Sequence, residues 1–337
     1  MKKDLVLSPQ RSVEFIVNTA RDVVINKEEI VRLGDELIED FKNDPTPLID
    51  DNDPACVPPF DYLHVLDWLF VVNVLNFGYH SRKTGKEWKA FNRTGYLAIC
   101  TAINRVVKKG YNVVRPSFYA QISSRSLFSL LRGTGPEDTN ISFFDERMEA
   151  LRSSGRTLMK YYGGSFKNCL LQSKRSAIEL VNILTSRFEY FVDEVEFNGK
   201  TVTFHRKAQL LAINVWAFYK RNGIDYFNDV HELITTTGPE LPQLFLYYNI
   251  FSYSHPLEKR ILRWENLPYG HHDETEIRGC TIHVLKILKD YISKHLNNET
   301  YLNPLFVNDL LTKKWISVSD KVLEAKFKYH LANCVFY

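Results

Sequence analysis

The chain has 337 residues, long for one domain and short for three. Its 45% hydrophobic and 25% charged residues match a soluble globular protein able to bury a large core. With 43 basic against 40 acidic residues the net charge is only +3, which argues against an extended nucleic-acid-binding face but leaves room for one basic pocket.

Helical periodicity dominates from the N-terminus onward. Lys27 to Phe41 places Ile30, Leu33, Leu37 and Phe41 on one face, at spacings of three and four. The polar, Pro-bearing stretch 43–59 reads as a long surface loop. Leu63 to Leu75 is nearly all apolar and reads as a buried helix, and Thr84-Gly85 as a weak turn. Gly95 to Val107 reads as a second buried helix ended by Lys108, Lys109 and Gly110. Phe144 to Tyr162 is amphipathic and stops at Gly163-Gly164, a C-cap signal. Ser173 to Phe188, Lys207 to Lys220, Leu241 to Phe251 and Glu276 to Leu296 continue the helical pattern. Val192 to Phe204 departs from it, alternating apolar and polar around Asn198-Gly199, the strongest short hairpin signal. The expected fold is therefore mainly α, a single domain over 1–337 with one small β-hairpin near 192–204.

Several kinds of chemistry are excluded. There is no G-x-x-x-x-G-K-[ST] loop, no G-x-G-x-x-G after a strand, no G-x-S-x-G elbow and no H-E-x-x-H. His271-His272 beside Asp273 and Glu274 is better read as a solvated loop than as a metal cluster, since adjacent histidines point in different directions. Five scattered cysteines, none spaced C-x-x-C, suggest neither a disulfide framework nor a zinc site. No segment reaches the roughly 18 apolar residues of a membrane span. The N-terminal MKKDLVLSPQRS lacks the apolar run of a signal peptide. The expectation is a cytoplasmic or nuclear protein in a reducing compartment, without membrane or direct nucleic-acid partners.

A series of segments carries a family resemblance. RDVVI (Arg21 to Ile25), LNFGY (Leu75 to Tyr79), GYLAICTAINR (Gly95 to Arg105) and GGSFKNC (Gly163 to Cys169) are followed by KAQLLAINVW (Lys207 to Trp216), LPQ (Leu241 to Gln243), Tyr269-Gly270, EIRGC (Glu276 to Cys280) and the closing NCVFY. Together, in this order and spacing, they resemble the queuosine salvage protein family, the queuosine 5′-phosphate N-glycosylases. The resemblance implies a helical fold compared with that of DNA glycosylases. It also implies hydrolysis of queuosine 5′-monophosphate to queuine, which is reused for tRNA, with no metal or organic cofactor.

Such chemistry passes through an oxocarbenium-like sugar, so a carboxylate near the anomeric carbon stabilises charge and can deprotonate the attacking water. Queuine carries carbon where guanine has N7, so recognition rests on stacking and on the guanine-like edge. Phe77, Tyr79, Phe118, Tyr119 and Trp216 are candidate stacking residues, although ordinary core packing is the better explanation of any one of them taken alone. Asn76, Asn104 and Gln243 are candidate readers of the base edge. Glu276 and Arg278 lie near a helix start, where Arg278 could hold the 5′-phosphate with the helix end or equally well simply pair with Glu276; Lys207, Arg105 and Arg115 are alternative phosphate ligands.

Where the family resembles A-D-x-W, this chain has Ile213-Asn214-Val215-Trp216. Where it shows F-A-D-Y before L-P-Q, this chain has Thr236-Thr237-Gly238-Pro239, and Asn73 stands where an Asp often precedes x-L-N-F. Asn cannot act as a base. Asp229 and Glu240 are the candidate replacement bases, with Asn214 marking one vacated position. An active glycosylase, a relative that binds queuine or its nucleotide without hydrolysis, and a helical protein of other specificity all remain open at this stage.

Overall fold

The computed structural model describes residues 6–46, 58, 64–79, 87–134, 141–234, 238, 240–296, 306–324, 330 and 334–336. Most of stretch 43–59 and the Thr84-Gly85 turn lie outside them. Helix α1 (Pro9–Thr19) leads through strand β1 (Val23–Ile25) into α2 (Lys27–Asn43), whose Asn26 cap accepts from the Glu28 N–H. The apolar α3 (Val65–Val74) and α4 (Gly95–Val107) follow, then the short α5 (Pro116–Tyr119) and α6 (Ser124–Leu130) and the long α7 (Phe144–Tyr161). Helices α8 (Phe166–Gln172) and α9 (Ala177–Arg187) precede the hairpin of β2 (Glu194–Phe197) and β3 (Lys200–Thr203). Helix α10 (Arg206–Arg221), α11 (Glu240–Tyr247), β4 (Phe251–Tyr253), α12 (His255–Leu262), α13 (His272–Leu296) and α14 (Phe306–Glu324) complete the order.

The mainly α expectation holds, and the hairpin forms as read. Asn198 and Gly199 both take positive φ, 46° and 78°, as a two-residue primed turn demands. Glu194 pairs with Thr203 and Phe197 with Lys200. Two expectations need correction. The stretch 173–188 is not one helix: Lys174 and Arg175 turn left-handed, and Ser176 starts α9 by accepting from the Glu179 N–H. Leu241 to Phe251 is also divided, because Phe251 leaves the helical run to pair in β4 with Ile25 of β1.

Three apolar clusters make up the core. The largest joins α3, α4, α7, α8, α9 and α10; a second joins α2, α11, α13 and α14 around the β1–β4 pair; a third, small one packs α1 and the hairpin against Ile282 of α13. Helix α3 is buried all round, its ten residues from Val65 to Val74 all inaccessible, which is why its sequence shows no polar face. Each fully buried Leu, Val or Phe contributes about 1.5–3 kcal/mol relative to exposure. The N-terminus of α10, the start of α13 and the hairpin bring the three clusters together, and charged groups are buried at that junction.

Candidate active site

The site begins where α3 ends. The last carbonyls of a helix have no intrahelical donors, and cations satisfy them here. Lys207, in the first turn of α10, donates to the Val74 carbonyl at 2.9 Å. Arg147 of α7 donates to the carbonyls of Leu75, Phe77 and Gly78, the last at 3.0 Å. Its guanidinium also lies 4.3 Å from the Phe77 ring centroid. Gly78 takes φ +54°, and a Cβ there would lie 2.7 Å from Cε2 of Phe143, so the turn needs glycine. Tyr79 donates to the Asn76 side chain at 2.5 Å. Burial pushes Arg147 down to about 10, and burial together with the guanidinium groups of Arg147 and Arg206 holds Lys207 well below the usual lysine range.

A second set of charges gathers around Asp193, which is fully buried just before β2. Its carboxylate accepts from Arg278 at 2.6 Å, from the Tyr269 hydroxyl at 3.1 Å and from the Arg206 backbone N–H at 3.3 Å. Arg278 also meets Glu274 at 3.4 Å and lies 4.0 Å from the Phe204 ring centroid. Phe336 covers Tyr269 with ring centroids 4.9 Å apart, so the C-terminal segment closes over this centre. His330 is buried near Arg278, and burial lowers its imidazole to about 4. Burial likewise raises Cys334 to about 11, which keeps it a thiol.

Arg206 sits between the two sets. It follows His205, a left-handed residue at φ 51° that caps α10. Its Nε and Nη1 are buried with no hydrogen-bond partner among the described residues. Desolvation lowers its pKa, the Arg278 charge lowers it further, and Tyr79, Glu240 and Asp193 oppose that shift. A buried cation with idle donors is costly unless an anion completes it. Glu240, at the start of α11, is among the groups acting on it. The incoming chain is fixed just before that point, where Gln209 accepts from the Ile234 N–H at 2.7 Å and donates to the Phe204 carbonyl at 2.7 Å.

The sequence-predicted residues divide accordingly. Tyr79 and Asn76 lie at the turn after α3; Lys207, Glu240 and Arg278 join them around Arg206; Gln243 is buried one turn into α11. Phe77 is fully buried against Arg147, Lys207 and Phe143. Trp216 is half-buried against the large core, as is Phe118, while Tyr119 belongs to that core. Asn104 accepts from the Trp68 indole at 2.8 Å and ties α4 to α3. Asn214 donates to Asn73 at 3.0 Å, and Asn73 donates to the Leu69 carbonyl, so this amide pair binds α10 to α3.

Three charged groups serve elsewhere. Asp229 accepts from Ser176 Oγ and the Ala177 N–H, both at 2.6 Å, and so holds the N-terminus of α9. Glu276 accepts from the N–H groups of Arg21, Asp22 and Val23 at 2.6–2.9 Å and positions β1. Arg105 donates to the carbonyls of Ser129, Leu130 and Arg132 at the end of α6. His271 and His272 are half-buried rather than solvated. The ring of His272 stacks on Phe197 at 4.7 Å, and its nitrogen comes together with carboxylate oxygens of Asp22 and Asp273. Arg260 already neutralises Asp273 at 2.7 Å, and Ser254 donates to Asp22.

Asp193, Arg206, Tyr269 and Arg147 escaped sequence reasoning. Asp193 lies within the alternating stretch 192–204, where nothing local marks it, and Arg206 stands just before the Lys207 that opens the helical pattern. An Arg-Lys pair opening an apolar helix, with no acidic residue in its first turn, was the available signal.

The family model described as queuosine salvage protein matches residues 58–337. The chain is 28% identical to the queuosine 5′-phosphate N-glycosylase/hydrolase of Mus musculus, covering 98% of this chain and 99% of that protein. To the Bos taurus protein of the same name it is 26% identical, over 99% and 100%. To that of Schizosaccharomyces pombe it is 28% identical, over 90% and 91%. Among the described residues no helix is long and apolar enough to cross a membrane.

Proposed function

Because the chain belongs to the queuosine salvage protein family, we propose that it hydrolyses the N-glycosidic bond of queuosine 5′-monophosphate and releases queuine. It is an enzyme of the nucleotide N-glycosylase class, like the relatives it matches along nearly its whole length. The observation that carries the reading is Arg206: a buried guanidinium with unused donors, set beside Tyr79, Arg278 and Glu240, fits an anionic ligand. The 5′-phosphate supplies that anion, and guanidinium groups suit phosphate because their donors are fixed in a fork.

The reaction separates charge. As the C1′–N9 bond lengthens, the sugar becomes cationic and the base gains electrons. A carboxylate held beside the sugar stabilises the cation, and one proton-accepting oxygen activates water. The phosphate anchored at Arg206 fixes the ribose relative to that carboxylate, so that binding energy far from the bond is used at the bond. Tyr79 lies beside Arg206, on the turn that the two carbonyl-bound cations hold rigid. It forms one flat wall for the base, and Asn76, bonded to its hydroxyl, offers an amide to the base edge. Gln243 supplies a second amide from α11.

Incubation of purified protein with queuosine 5′-monophosphate, followed by mass spectrometry, tests this. Free queuine and ribose 5-phosphate in equal amounts are expected. Intact nucleotide after prolonged incubation at high enzyme concentration would refute the reading.

A further inference from the structure

We propose that Glu240 supplies, from two residues further along the chain, the carboxylate that the family resemblance leads one to expect at position 238, and that this carboxylate faces the anomeric carbon. The proposal rests on the hydrolytic reading above. Its physical basis is the space beside Gly238. A Cβ built there would meet Oε1 of Glu240 at 2.6 Å and its Cδ at 2.8 Å, with Oε2 closer still. The Glu240 carboxylate thus occupies the volume into which a side chain at 238 would project. Gly238 does not take the left-handed conformation that favours glycine. The backbone therefore does not require glycine here, and the group that a side chain at 238 would meet is the end of the Glu240 side chain.

Two further observations point the group at the site. Its charge acts on the buried Arg206 guanidinium, whose Nε and Nη1 lack hydrogen-bond partners among the described residues. Helix α11 is also held firmly, with Leu241, Leu244 and Phe245 in the second core cluster. The rotamer that reaches back toward 238 therefore starts from a fixed backbone. The other vacated positions contrast with this. Asn214 donates to Asn73 at 3.0 Å, so these two amides are used on one another. An acid in the first turn of a helix also complements the helix dipole, a role that would need no site at all. The two roles make different predictions when the charge is moved.

In the reaction, water adds to C1′ as the C1′–N9 bond breaks, and the bonding pair leaves with N9. The Glu240 carboxylate takes one proton from the water and gives it up to N9. The sugar ends with a hydroxyl, the base leaves neutral, and the carboxylate is regenerated.

The test compares wild type, Glu240→Gln, and the double variant Glu240→Gln/Gly238→Asp, all assayed on queuosine 5′-monophosphate with melting curves as a folding control. Glu240→Gln is expected to lower kcat at least 100-fold while KM stays within threefold, within the range for loss of a general base. Moving the carboxylate to 238 is expected to restore at least tenfold of that loss, which a purely helix-capping role would not do. The proposal is overturned by a Glu240→Gln enzyme within threefold of wild-type kcat. It is overturned equally by a folded double variant no faster than Glu240→Gln. Wild-type protein that releases no queuine overturns the reading beneath and the proposal with it, whereas an active wild type beside an unimpaired Glu240→Gln variant overturns the proposal alone.

Discussion

Two buried arginines lie on either side of Lys207, and their donors are used differently. Arg147 gives its donors to the carbonyls of Ser142, Leu75, Phe77 and Gly78 and lies against the Phe77 ring. Arg206 keeps Nε and Nη1 unused although both are buried. Burying a cation costs several kcal/mol; backbone carbonyls offset that cost for Arg147, and the charges of Glu240 and Asp193 offset part of it for Arg206. The first guanidinium is therefore part of the scaffold, and the second is a receptor whose partner arrives from solution. The carboxylates also differ in what they meet: Asp229 and Oε1 of Glu276 accept from backbone N–H groups, whereas the charge of Glu240 acts on Arg206.

The largest effect that would break this comparison is on stability. Arg147→Met leaves four carbonyls without this charged donor, at about 1–3 kcal/mol for each group left unsatisfied. A total loss of about 3–5 kcal/mol in denaturant unfolding is expected. A loss below 1 kcal/mol would show that the Leu75–Gly78 turn does not depend on this side chain.

Next in size is a pH effect at His330. Its folded pKa of about 4 lies below the unfolded 6.5, so the unfolded chain binds more protons between these values. The stability tied to the neutral ring is fully present above pH 6.5 and is lost as pH falls toward 4, by about 3 kcal/mol in all. His330→Gln should remove that share of the acid slope, read as the difference between wild-type and variant unfolding at pH 7 and pH 4. Identical slopes would contradict the buried, neutral imidazole.

The smallest effect sharpens the account of the lost carboxylates. Asn214→Asp removes the donor to Asn73 and sets acceptor against acceptor, at a cost of about 1–2 kcal/mol. No gain in turnover is expected, because the carboxylate at the sugar is Glu240. A rise in kcat would instead place position 214 at the anomeric carbon.

Much of the fold was legible because local patterns decide it. Helices α2, α4, α7 and α10 declare themselves by periodicity, and Asn198-Gly199 by turn chemistry. Helix α8 was not read, and the next helix was started at Ser173 rather than Ala177, although Ser176 three residues before Glu179 carries a cap signal. Strands β1 and β4, three residues each, were invisible because their pairing joins Val23 to Tyr253 across the length of the chain. The site was half legible. Tyr79, Asn76, Lys207, Glu240 and Arg278 were named from resemblance. Asp193 and Tyr269 join the buried charged cluster through contacts that no local window contains. Gly238 read as a loss, and only the geometry shows its place filled by Glu240.

The central claim is that Arg206 waits for the substrate phosphate. Its most direct test is kcat/KM for queuosine 5′-monophosphate against dephosphorylated queuosine, in wild type and in Arg206→Gln. A charge-assisted contact in a buried site is worth about 2–4 kcal/mol, or roughly 30- to 1,000-fold. Wild type should prefer the nucleotide by a factor in that range, and Arg206→Gln should lose most of the preference while its activity on the nucleoside changes little. A folded Arg206→Gln enzyme with the wild-type preference intact would contradict the account.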